Sequence, residues 1–290
     1  MKLSANTSLF AKTYGLKKAV EMFADAGFDA IDFSEFHEEF YSTVHDEAFY
    51  RDIRSYAEDR GLYFNQAHAP FPSSYPEDEK TEETFGHIVQ GMRNASYLGV
   101  RNIIVHPCQH LTYADEGNPE KLFEINMDFY KRLQPYCEEF NIRIAVENMW
   151  QYPKTISHST CSRPAEFLRY MDALDKEWFV ACLDIGHAML VKEMPDDMIR
   201  ALGGKYLQAL HVHDVDGIQD SHTLPFYGIV NWEKVMRALA EIDYQGELTY
   251  EESNFVANVP EALWQDALKY MVQVGRHLIS RFDAYRAEMK

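Results

Sequence analysis

Glu147, Asp184, His213 and Glu251 each stand at or just past the end of a short apolar run, and together they have the make-up of one divalent-metal site. The runs are Arg143-Ile-Ala-Val-Glu147, Phe179-Val-Ala-Cys-Leu-Asp184, Leu207-Gln-Ala-Leu-His-Val-His213 and Gly246-Glu-Leu-Thr-Tyr-Glu251. Three carboxylates and a neutral imidazole offer oxygen-rich ligation without sulfur, which suits Mn²⁺, Mg²⁺, Co²⁺ or Zn²⁺. One acidic residue at a strand end is ordinarily a helix cap or a solvated loop charge. Four such residues, each closing its own run, are much harder to assign that way. His211, two residues before His213, shares its inward face one layer deeper and reads as a hydrogen-bonded core histidine.

The elements that must position these residues follow from periodicity. Strand candidates begin near Lys2, Ala30, Tyr63, Asn102, Arg143, Phe179, Leu207 and Glu247, each followed by apolar residues at three- and four-residue spacing. The helix from Leu16 closes on Gly27, Asn231 caps the helix from Trp232, and Ser162 is expected to cap the helix after it. Pro260–Tyr285 reads as the eighth helix. Eight βα units predict an α/β fold, a (β/α)8 TIM barrel forming a single domain over residues 1–290. A doubly wound sheet would have a glycine-rich phosphate turn after its first strand, where this chain has Asn6-Thr-Ser-Leu-Phe10. In a barrel the C-terminal strand ends converge on one axis, so residues far apart in sequence share one cleft. The longest non-helical stretches, 69–80, 148–161 and 214–230, fall on that same face. Their Phe71, Tyr75, Trp150, Tyr152, Phe226 and Tyr227 suit the walls of a compact pocket.

Charge and cysteine usage narrow the partners. The net charge of −18 and the lack of a basic stripe oppose binding to a phosphate backbone, so no nucleic acid partner is expected. No apolar run approaches the roughly 20 residues of a membrane span, and the opening Met1-Lys-Leu-Ser-Ala-Asn lacks a signal-peptide segment, so a cytoplasmic chain is expected. Cys108, Cys137, Cys161 and Cys182 form no CxxC pair and read as reduced, buried thiols. The apolar and aromatic content leaves room for a homodimer face.

A set of short motifs resembles the xylose isomerase-like (β/α)8 barrels, which include sugar-phosphate isomerases and epimerases and the endonuclease IV proteins. They are Asn65-Gln-Ala-His-Ala-Pro70, Ile103-Ile-Val-His-Pro107, Ala145-Val-Glu-Asn148, Leu183-Asp-Ile-Gly-His187, His211-Val-His-Asp214, Asp220-Ser-His222 and Leu248-Thr-Tyr-Glu251. By that resemblance Glu147, Asp184, His213 and Glu251 match the family's metal ligands, and His187 matches a substrate-contacting histidine. In the isomerase branch Glu147 and Glu251 double as base and acid. His68, His106, Asp220 and His222 match positions that complete a three-zinc cluster in the endonuclease branch. Here they are expected, with Trp150, to position substrate or water around one divalent ion. The sequence departs from ketose 3-epimerases, which bind substrate with an arginine where this chain has Gln219, and a common Pro-Gly-Glu-Gly turn is Pro225-Phe-Tyr-Gly228.

The activity this implies is metal-dependent isomerisation or epimerisation of a sugar or sugar phosphate. A divalent ion gripping two adjacent oxygens acidifies a neighbouring C–H and holds the enediolate, while glutamates from strands five and eight take and return the proton. Departure of a β-hydroxyl would make the same site a dehydratase of a keto-polyol such as an inosose or a dehydroshikimate-type acid. Abasic-site phosphodiesterase chemistry is the other alternative.

Overall fold

The computed structural model describes residues 1–34, 45–152, 155–251 and 253–289. Its main sheet runs through β1 (Leu3–Asn6), β2 (Ala30–Ser34), β3 (Tyr63–His68), β4 (Asn102–Ile104) and β5 (Arg143–Glu147). It continues through β8 (Phe179–Asp184), β9 (Leu207–His211) and β10 (Leu248–Tyr250), with helices on the connections. The intervening β6 (Trp150–Gln151) and β7 (Ser157–His158) form a separate antiparallel hairpin inside the loop after β5. The eight main strands pair in parallel in the order β10-β1-β2-β3-β4-β5-β8-β9. Just past β9, Val212 bridges Tyr250, with Val212 N donating to Thr249 O at 2.9 Å and Glu251 N to Val212 O at 3.2 Å. The eight strands thus make a nearly closed barrel in a single α/β domain. Its closing contact falls between the two histidines of the β9 run and Glu251.

Alternation along the strands sets what faces the axis. Ile104, Ala145, Val180, Cys182 and Ala209 form a small buried cluster of their own. His106, Glu147, Asp184 and His211 lie two residues beyond Ile104, Ala145, Cys182 and Ala209, one step nearer the C-terminal rim. The much larger apolar core lies between the sheet and the surrounding helices, where Phe23, Phe33, Phe167 and Phe282 are buried. At Gly275 the last helix, Trp264–Glu288, comes so close that an added Cβ would meet Leu3 Cδ1 at 2.5 Å.

The strand starts match those read from the sequence to within one residue. Leu16–Ala26 ends on Gly27 at φ 99°, a left-handed turn that favours glycine, and the Asn231 side chain accepts from Lys234 N. Ser162 is a correction. The helix there begins at Pro164, whose fixed φ pre-forms the first turn, and Arg163 holds the cap position without a side-chain bond. Ser162 Oγ instead accepts from Ser159 N. All four cysteines are free and buried. Among the described residues, no helix is long and apolar enough to cross a membrane.

Candidate metal centre

Glu147 ends β5 and Asp184 ends β8, and both are fully buried. Asp184 also caps the following helix, Oδ1 accepting from His187 N at 2.6 Å. That helix therefore delivers His187 to the rim, its Nδ1 2.9 Å from Asn148 O and 3.4 Å from Glu147 Oε1. His106 Nε2 lies 2.9 Å from Glu147 Oε2 and 3.2 Å from His68 Nε2. His211 Nδ1 lies 3.2 Å from Glu147 Oε1 and 3.2 Å from Glu251 Oε2. His213 Nε2 lies 2.9 Å from Asp184 Oδ2, and its ring stacks on His222 at 4.1 Å and 7°. His222 in turn sits 3.0 Å from Asp220 Oδ2, which also accepts from Trp150 Nε1 at 3.2 Å.

The cluster fits a cation. Glu147, Asp184, His211 and Glu251 each offer one ligand atom, and those atoms lie within 4.8 Å of one another. His187, His213, Asp220 and His222 form an adjoining set of the same kind, joined to the first through Asp184. The donors are oxygen and imidazole nitrogen alone, the chemistry of Mn²⁺, Zn²⁺ and their neighbours. Glu147 Oε1, His213 Nδ1 and Asp220 Oδ1 are buried without a hydrogen-bond partner. Buried lone pairs left open in this way are costly unless something occupies them.

Charge is distributed unevenly. Burial favours a neutral Glu147, but His211 and His106 outweigh it and hold the carboxyl well below the usual range. Burial pushes Glu251 up to about 8, with His211 and His222 offsetting only part of the effect. His211 is raised to about 10 because Glu251 and Glu147 overcome its burial, and His222 is raised to about 10 by Asp220 and Glu251 against the same opposition. Burial, then His106 and His211, hold His68 well below the ordinary imidazole value. Above the cluster opens a cavity of about 370 Å³. Phe71, Met149, Trp150 and Tyr152 wall it, and His106, His187, Asp220, His222 and Glu251 reach into it.

A family model described as xylose isomerase-like TIM barrel matches residues 20–274. The chain belongs to that family. Barrel relatives with solved structures include an L-ribulose 3-epimerase, 14% identical with a TM-score of 0.75 over 99% of this chain and 96% of that one. A D-psicose 3-epimerase from Clostridium cellulolyticum H10 superposes with a TM-score of 0.74 at 16% identity, covering 96% of this chain and 99% of the other. In sequence, the uncharacterized protein y4fM of Sinorhizobium fredii is 26% identical over 54% of this chain and 49% of its own length. The uncharacterized protein MJ1311 of Methanocaldococcus jannaschii is 24% identical over 64% of each. The chain thus spans about half of the first relative and under two thirds of the second.

Within this barrel the residues singled out by motif all come to the C-terminal rim. Three of the six rim aromatics, Phe71, Trp150 and Tyr152, line the cavity. Phe226 and Tyr227 turn away instead, toward His277 and Phe255. His211 is buried as expected of a core histidine, yet neither ring nitrogen meets hydrogen-bond geometry, and its neighbours are the two glutamates. The motif reading passed over Asn148, whose Oδ1 accepts from Asp184 N at 2.7 Å and whose Nδ2 donates to Asp184 O at 3.0 Å. It also missed Gly186, where an added Cβ would meet His213 Cε1 at 2.0 Å, and a glycine inside Asp-Ile-Gly-His was the available signal. Asp214 was a third omission. Its carboxylate accepts from Phe226 N, Val230 N and Trp232 Nε1, and so fixes the whole loop after β9.

Proposed function

We propose that this protein is a divalent-metal-dependent isomerase or epimerase of a small polyhydroxylated carbonyl compound, a sugar or sugar phosphate. The observation that carries this reading is the floor of the cavity, where Glu147 and Glu251, from strands on different sides of the ring, both approach one imidazole at 3.2 Å. Glu147, Asp184 and Glu251 would hold the ion together with His213, whose Nε2 lies 2.9 Å from Asp184 Oδ2, while His211, whose ring also comes within ligand range of the three carboxylates, would stand behind the glutamates. When bound, it would polarise the substrate's carbonyl and hydroxyl oxygens and make the intervening C–H acidic. Glu251 opens onto the cavity and Glu147 lies beneath His106 and His187, so one glutamate takes the proton and the other returns it. His187 and His222 reach into the cavity on either side of Asp220 and would meet substrate hydroxyls there, while Phe71, Trp150 and Tyr152 would cover the apolar face of the carbon skeleton and keep water out.

The likeness to sugar 3-epimerases supports the reaction class, and the −18 charge supports a small-molecule substrate over nucleic acid. Four free, buried cysteines support a reducing, cytoplasmic setting, and a homodimer is part of the same proposal. The test is proton exchange in D₂O with the Mn²⁺-loaded protein over ketoses, sugar phosphates and keto-inositols. A substrate should gain deuterium beside its carbonyl, and Glu147→Gln and Glu251→Gln should each suppress that gain by about 100-fold or more. Absence of exchange across the whole panel would overturn the reading.

A further inference from the structure

We propose that His211 is a positioning residue that sets the spacing and orientation of Glu147 and Glu251, an inference that rests on the metal reading above. Its Nδ1 is equidistant from the two carboxylates, 3.2 Å from Glu147 Oε1 and 3.2 Å from Glu251 Oε2. No other ring nitrogen among the described residues lies this close to both. A ring nitrogen packed at 3.2 Å against both carboxyl groups fixes from behind the gap between them, and its polar edge faces both.

The ring cannot easily turn away. It is fully buried, stacks on His68 at 5.4 Å and 13°, and presents Nε2 to Asp32 Oδ2 at 3.8 Å. Asp32 is also fully buried and is itself held, since Gln66 Nε2 donates to its Oδ2 at 3.1 Å. The row Gln66, Asp32, His211 therefore runs from β3 and β2 across the barrel interior to Glu147 at the end of β5 and Glu251 just past β10. A residue that reaches metal ligands from behind in this way tunes affinity without touching the ion, and losing it costs about 10- to 100-fold. Ala209, two residues earlier on the same face, is a small buried side chain in the layer below.

Two substitutions separate positioning from mere filling of the core. The amide nitrogen of Asn can stand where Nδ1 stands and face the glutamates, while that of Gln stands where Nε2 stands and faces Asp32. Mn²⁺ alone is the probe, titrated into the full chain and followed by the loss of the free-ion resonance, with melting temperature confirming the fold. We expect His211→Asn to bind Mn²⁺ within about threefold of the parent and His211→Gln to bind about 10-fold or more weakly. Parent-like affinity in His211→Gln, or equal weakening in both variants, would overturn the assignment. Should His211→Gln fail to fold, Asp32→Asn takes its place with a loss of about three- to tenfold expected, and parent-like affinity there is equally fatal. If the parent itself binds no Mn²⁺, the metal reading fails and this inference with it. A bound parent with unaltered variants condemns the inference alone.

Discussion

The barrel interior has two levels that behave in opposite ways. In the lower level, Ser4 Oγ donates to Asn65 Oδ1 at 2.7 Å and Asn65 Nδ2 donates to Thr249 Oγ1 at 3.0 Å, so the buried polar groups satisfy one another. Above them sit the small apolar side chains of Ala145, Cys182 and Ala209. At the rim the pattern reverses, with Glu147, Asp184, His211 and His213 fully buried and several of their atoms without partners. Folding settles the lower level by itself. The rim keeps charge and open lone pairs that only a bound species could satisfy, and this sets the candidate site apart from its scaffold.

The largest break in that comparison should come from removing rim donors. Asp184→Ala combined with His213→Ala should lower Mn²⁺ affinity by about 1000-fold or more, read by calorimetric titration, and full occupancy in that double variant would sink the metal assignment. Elemental analysis of the parent should give one tightly held ion. About three zinc ions per chain together with abasic-site cleavage would instead move the rim toward nuclease chemistry.

Acidity sharpens the contrast next. Glu251, raised to about 8, carries a proton in the metal-free rim at neutral pH, and an incoming cation must displace it. Mn²⁺ affinity should therefore rise by up to about tenfold per pH unit from pH 6 and level off above pH 8. Titration in buffers of different ionisation enthalpy should detect about one proton released at pH 7 and almost none at pH 9.

The lower level should answer differently. Asn65→Ala strands the Ser4 hydroxyl and the Thr249 hydroxyl and should cost about 2 kcal/mol in denaturant unfolding, with Mn²⁺ affinity unchanged. A change in affinity there would show that the two levels are coupled.

The smallest effect lies outside both levels. Burial raises Glu166 to about 7, with its Tyr113 hydrogen bond and Arg163 opposing part of the rise. The folded chain then keeps that proton up to about pH 7, while the unfolded chain releases it near its ordinary value. The stability this group contributes is complete below the unfolded value and is lost as pH climbs through 7. Glu166→Gln should gain roughly 1 kcal/mol over the parent at pH 8, after allowance for the residue's partial exposure, and nothing near pH 4. Equal melting differences at both pH values would refute the account.

Much of this was legible in the chain. Alternating apolar runs marked all eight barrel strands, because a strand buried on both faces cannot avoid such a run. The rim residues Glu147, Asp184 and Glu251 were visible as charges that end those runs. Ser162 misled because a cap-forming side chain in the right place can be pre-empted by Pro164, a local competition that pattern alone does not rank. The aromatics of the 214–230 loop misled for a different reason. Which way Phe226 and Tyr227 face depends on Asp214 drawing in the backbone at Phe226 and Val230, a contact set by the folded loop.

The sequence by itself determined the barrel, the inward face of each strand and the chemical type of the rim, since these follow from a period of two and from residue identity. Only the tertiary structure decided how the histidines divide, with His211 between the glutamates and His213 beside Asp184 and His222. Both histidines lie on one strand face. Their partners come from strands distant in the chain, and the ring closure at Val212 and Tyr250 fixes the height at which each one meets them.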